Sequence, residues 1–245
     1  MNDMKLREIH LKGYKSIAAE QSIPLGELTI LLGANGSGKS NLVSFFSMLN
    51  YMTTGAFQQY VGKYGVNRLL YYGSKKTESI SFELRFQSED ISDTYSVKLS
   101  HGLPDRFFIS GEKVSYHRAD ATQPLEYFVP PGNNETGLGT HDHETSRILF
   151  RLLSEIRTYQ FHDTSDTAKI KDRGYVDDAR YLKSNAGNLA PFLKMIKQTP
   201  GYRKYYDRII RHIRRVMPQF GDFVNVFVDS RCVLTSRDKR VAREY

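Results

Sequence analysis

At 245 residues the chain is long enough for one large domain or two modest ones, each able to bury a core. With 40 % apolar and 25 % charged residues it is not a disordered chain, and no apolar run approaches the roughly 20 residues of a membrane-spanning helix. A single cysteine, Cys232, excludes an internal disulfide and a multi-thiolate zinc site, and the net charge of +8 is uneven: residues 150–245 hold 20 Lys/Arg against 11 Asp/Glu, or +9, leaving −1 for the first 149. The opening Met1 to Arg7 has no apolar core of a secretory signal, so a soluble, cytoplasmic protein is expected, without membrane contact.

In chain order, Lys5 to Leu11 alternates like a strand, and Leu28 to Leu32 (LTILL) is a continuously apolar run suited to a short buried one. After a glycine-rich turn, Asn41 to Met52 carries Leu42, Phe45, Phe46 and Leu49 on helical spacing. Between Ser79 and Val129 the period becomes two, through Ile80, Phe82, Leu84 and Phe86, then Tyr95, Val97 and Leu99. Arg106 to Ser110, Lys113 to His117 and Glu126 to Val129 continue the series, with turns expected at His101-Gly102 and Ser110-Gly111. This predicts an antiparallel meander. Pro130 to Thr140 reads as a flexible connection. The remainder of the chain reads as mostly helical, with helices at Arg147 to Ile156, Asn188 to Lys197 and Tyr202 to Met217 and a strand at Phe223 to Val228. The division expected is a lobe at 1–130 and a mostly helical lobe at 131–245.

Gly33-Ala34-Asn35-Gly36-Ser37-Gly38-Lys39-Ser40 matches G-x-x-x-x-G-K-[ST] between a predicted strand and a predicted helix. Glycines there let the backbone wrap closely and aim N–H groups at anionic oxygens, and the helix beginning near Lys39 adds the positive end of its dipole. Lys39 is expected to reach the β- and γ-phosphates of ATP, Ser40 to ligate Mg²⁺, and Asn41, next in the first turn, to belong to the nucleotide-binding set with Gly33 to Ser40.

Leu6-Arg7-Glu8-Ile9, Gly13-Tyr14-Lys15-Ser16-Ile17 and Leu31 to Leu42 resemble the N-terminal lobe of ABC-type ATPases of the RecF, SMC and Rad50 group. Phe161 to Ser165, Asp178 to Leu182, Asn188 to Ala190 and Ile209 to Arg215 with Pro218 and Phe220 resemble the bacterial predicted ATPases of the AAA family with an ABC-like head. The resemblance implies an α/β fold: a P-loop NTPase lobe of ABC-head type with an antiparallel β meander, then a mostly helical part. It also implies a head that sandwiches two ATP molecules as a homodimer or with a full-length homologue head. DNA and an effector such as a nuclease are the further partners, in DNA repair, maintenance or antiphage defence. In such heads Lys15 is a candidate phosphate contact. Gln160, following a strand expected at Ile156 to Tyr159, either helps hold magnesium or is an ordinary polar residue.

Hydrolysis needs acidic residues to hold the metal and orient water. In the family these form an Asp-Glu pair beyond a Ser-rich signature loop. Val224 to Asp229 imitates the preceding apolar run, but Asn225 interrupts it and Ser230 stands where the glutamate belongs, so Asp229 is read as a decoy. The chain stops at Val241 to Tyr245, roughly where the family's second lobe would begin. The expectation is a fragment, or a head completed by another chain, with poor hydrolysis on its own. His141-Asp142-His143-Glu144 carries metal-ligand types, though Asp142 at a helix start also suits a cap. The arginines and tyrosines of Tyr202 to Met217 suit either a solvated face or a nucleic-acid backbone.

Overall fold

The computed structural model describes residues 4–130, 134–159, 161, 165, 167–228 and 231–238. They divide into two compact units, with the boundary between Arg157 and Thr158.

The first unit is built on an antiparallel sheet in the order β2-β1-β3-β4-β5-β6. Its strands are β1 (Lys5–Lys12), β2 (Gln21–Pro24), β3 (Ser79–Gln87), β4 (Ile91–Gly102), β5 (Arg106–Arg118) and β6 (Leu125–Phe128). Alternation sets the faces. Ile80, Phe82, Leu84 and Phe86 of β3 are buried, as are Tyr95, Val97 and Leu99 opposite them on β4. Over this face lie α1 (Lys39–Thr53), α2 (Phe57–Tyr64), α3 (Val66–Leu69) and α4 (Glu144–Glu155). Leu42, Phe45, Leu49 and Met52 give α1 the buried stripe that its helical spacing demands, and Phe45 meets Phe82 of the sheet edge to face with ring centroids 5.2 Å apart.

Four expectations change in this unit. Leu28 to Leu32 is not a strand of the sheet: Leu28, Ile30, Leu31 and Leu32 are 80 %, 70 %, 40 % and 89 % exposed. An apolar run becomes a strand only where neighbours take its backbone groups, and both edges of β1 are already taken, by β2 and β3. Ser110-Gly111 is no turn. β5 runs straight through it, and the register jumps from Leu99 opposite Ile109 to Lys98 opposite Gly111, a β-bulge that returns Glu112 to the buried face. Residues 134–140, expected to be flexible, are tied down. Glu135 accepts the N–H groups of Phe57 and Gln58 at the start of α2, at 2.9 and 3.0 Å, while buried Glu112 accepts from Tyr95 OH, Thr136 Oγ1 and Gly137 N. Finally, Ile156 to Tyr159, a stretch that spans the boundary between the units, has no strand structure.

The second unit contains a small antiparallel sheet, β7-β9-β8, made from β7 (Gly174–Tyr175), β8 (Phe220–Val228) and β9 (Arg231–Asp238). It therefore holds more strand than the mostly helical reading allowed. With it pack α5 (Leu189–Gln198) and α6 (Arg203–Val216), through Leu193, Ile196, Tyr206, Ile210 and Phe220. Asp222 at the start of β8 fastens both helices, accepting from Lys197 of α5 at 2.7 Å and from Tyr206 OH of α6. Fully buried Asn188 organises the loop before α5: its amide donates to the carbonyls of Asp178 and Tyr181, and its oxygen accepts Lys183 N–H. No helix among the described residues is long and apolar enough to cross a membrane.

Candidate functional site

The glycine-rich segment forms a tight loop delivering the chain into α1. Gly36 and Gly38 have φ of +84° and +96°, the left-handed region that an L side chain enters only with strain. Gly38 is the N-cap of α1, and a Cβ there would stand 2.9 Å from Ser16 Oγ. At Gly33 a Cβ would meet Ser37 Oγ at 2.7 Å. The glycine positions of the motif are thus used for backbone conformation and close approach.

Lys39 curls back over this loop. Its ammonium donates to the carbonyls of Gly33 at 2.6 Å and Ala34 at 2.7 Å and lies 3.4 Å from Ser37 Oγ. The first turn of α1 contains no acidic side chain, and the N–H groups of Lys39 and Ser40 have no acceptor among the described residues. A cation, a helix N-terminus and free backbone donors therefore converge at one exposed loop, the donor set an anionic phosphate requires. Ser40 lies in the first turn of the same helix.

The loop leaving β1 braces this site. Asn41 Nδ2 donates to Ser16 Oγ at 2.7 Å. Ser44, one turn further along α1, donates to Asn41 O at 2.8 Å and accepts from Lys15 Nζ at 2.7 Å, with Tyr14 OH at 2.9 Å. Lys15 has a positive φ of 48° and lies over the rings of Tyr14 and Tyr64, and its half-buried position pushes its pKa down. Its ammonium is thus held on the second turn of α1. Burial drives the Tyr14 hydroxyl far above the usual phenol range, so it is a neutral hydrogen-bonding group.

Beside the loop opens a cavity of about 660 Å³ lined by Lys15, Ser16, Asn41, Tyr64, Arg68, Leu70, Tyr71 and Tyr72. Two cations and three tyrosine rings make it suited to a flat, polar, anionic ligand. The sequence reading missed Tyr64, Arg68, Tyr71 and Tyr72. The signal was present in the tyrosine-rich stretch from Tyr60 to Tyr72, but without a sharp motif.

Other candidates separate. Gln160 and Asp229 lie outside the described residues. Asp142 is not the cap of α4: His143 occupies that position, and Asp142 pairs with Arg147 at 2.8 Å in solvent. His141 bonds Ser146 Oγ at 2.7 Å, and His143 lies against the Tyr127 ring, centroids 3.7 Å apart. Among the described residues no three His, Cys, Asp or Glu side chains gather as a metal centre.

A glycine-wrapped loop, its lysine and an acid-free helix N-terminus define a P-loop nucleotide-binding protein. The family model described as "AAA ATPase domain" matches residues 4–173, well over half of the chain. The chain belongs to that family, whose P-loop NTPase fold and ATPase class of nucleotide binding it shares. No curated protein matches it.

Proposed function

We propose that this chain binds ATP with Mg²⁺ at Gly33 to Ser40 and works as a nucleotide-dependent switch of the RecF, SMC and Rad50 type. Two heads, as a homodimer or with a full-length homologue, close on nucleotide and change how the protein engages DNA or an effector such as a nuclease. The cytoplasm is its compartment, and DNA repair, maintenance or antiphage defence its setting; the family blocks in the sequence support this wider frame.

The observation that carries the binding step is the Lys39 ammonium, stationed in the loop on two neutral carbonyls. Phosphate oxygens are charged acceptors and make the stronger bond, so nucleotide takes the lysine from Gly33 and Ala34. The free backbone N–H groups of Lys39 and Ser40 orient the phosphates, the Ser40 hydroxyl would hold Mg²⁺ with Gln160 as a second candidate, and Asn41 fixes the adjoining loop through Ser16. Lys15 and Arg68 face the cavity in which the remainder of the nucleotide is taken up. The metal neutralises phosphate charge when bound.

Titration with a fluorescent ATP analogue and Mg²⁺ tests this. Lys39→Ala should lose at least roughly 10-fold in affinity, because a charge-assisted contact contributes about 1.5–3 kcal/mol. Absence of binding by the unmodified protein overturns the reading.

A second reading has its own observation. Leu28, Ile30 and Leu32 are exposed immediately before the P-loop, and their backbone groups have no hydrogen-bond partner among the described residues. Such a segment suits an interaction module that lacks independent hydrolysis and pairs with an intact homologue. Stable association on co-expression with a full-length homologue, lost in Ile30→Lys, favours the module, whereas independent ATP turnover by this chain rules it out.

A further inference from the structure

The solvent face of α6 carries a line of cations that the nucleotide site does not use. Lys204, Arg208, Arg211 and Arg215 follow one another at intervals of four, three and four residues, which sets them in a single row along about 16 Å of helix. All four are exposed, and none has an acidic partner among the described residues. The other two arginines of the helix are occupied. Arg203 pairs with Asp207, the helix's own acid, at 3.1 Å, and Arg214 donates to the carbonyls of Phe220 and Gly221. Like charges at these spacings destabilise a helix, a cost that interleaved acids would remove. At the N-terminal end of the row Tyr202 and Tyr205 expose their rings, 6.4 Å apart, with Lys204 over Tyr205 at 5.1 Å.

We infer that the α6 row Lys204, Arg208, Arg211 and Arg215 is a binding surface for the phosphate backbone of nucleic acid. Three of the four are arginines, whose planar guanidinium forks match phosphate oxygens. The neighbouring tyrosines add ring faces and hydroxyls at the level of sugars and bases. A membrane surface is the weaker fit, because a helix that lies on lipid inserts its apolar face, and Tyr206, Ile209, Ile210 and Ile213 are committed to the core of this unit. Recognition through phosphates makes binding independent of base sequence and strongly dependent on salt.

The test is fluorescence anisotropy of the full chain with a labelled 20-base-pair duplex, and with the matching single strand, across salt concentrations. Four phosphate contacts predict a slope of log affinity against log salt of about −3.6 for duplex and about −2.8 for single strand. Arg208→Ala/Arg211→Ala should reduce the slope by about 2 and weaken binding at least roughly 10-fold. Lys204→Gln/Arg215→Gln is a second pair should the first fail to fold, checked by circular dichroism. Arg118→Ala, at an exposed arginine of the first unit, should bind as the parent does. Lys39→Ala should also keep duplex binding, so failure of the nucleotide reading and failure of this one are visible separately. Unchanged affinity in both α6 pairs overturns the inference. So does displacement of duplex by polyglutamate at equal charge, or tighter binding to phosphatidylserine vesicles than to either nucleic acid.

Discussion

The side-chain amide of Asn41 donates to Ser16 Oγ at 2.7 Å, joining the first turn of the P-loop helix to the loop that leaves β1. The two residues are 25 positions apart, and their bond holds the N-terminus of α1 against the same loop that carries Lys15. Ser16→Ala should weaken binding of the ATP analogue by roughly 2- to 10-fold, the worth of one ordinary hydrogen bond. Thermal stability should scarcely move, because the bond is exposed.

Gly38 carries two separate constraints, a φ of +96° and a 2.9 Å approach of any Cβ to Ser16 Oγ. Gly38→Ala should cost about 1–2 kcal/mol for the left-handed backbone alone and abolish nucleotide binding. Adding Ser16→Gly relieves the contact but not the backbone. Chemical denaturation of the double variant should therefore recover part of the stability and none of the affinity.

Glu135 reaches from the loop before α4 to two N–H groups at the start of α2. Its removal leaves those donors part-buried and unpaired. Glu135→Ala should lower unfolding free energy by about 1–2 kcal/mol in urea titration, and Glu135→Gln, which keeps an acceptor, by less.

Asp93 is almost fully buried on β4, and its Oδ1 has no hydrogen-bond partner among the described residues, so burial pushes its pKa up to about 6. The unfolded chain releases that proton near pH 4, and the folded protein holds it to about pH 6. Between these values the native state binds more protons, so stability falls as pH rises and then levels off. Asp93→Asn, which cannot ionise, should flatten this part of the curve and be the more stable protein at pH 7, by about 3 kcal/mol. Thermal melts from about pH 4 to about pH 8 check it.

The P-loop was legible because its information is local: glycines, a lysine and a hydroxyl within eight consecutive residues. The meander was legible for the same reason, since Ile80 to Phe86 and Tyr95 to Leu99 state their faces by alternation. The cavity beside the loop was not. Lys15, Asn41 and Arg68 come from separate stretches and meet only after α1 to α3 have packed on the sheet. Glu135 shows the limit from the other direction, because a Pro, Gly and Asn-rich composition says nothing about a carboxylate that caps a helix 77 and 78 residues away.

By itself the sequence determined the phosphate loop, the alternating strands and the amphipathic helices, all of which depend on neighbours a few positions apart. Tertiary structure decided whether Leu28 to Leu32 becomes a strand, whether Ser110-Gly111 turns or bulges, and whether residues 134–140 are held. In each case the deciding partner of the backbone groups lies beyond the segment, and no local pattern records whether it is there.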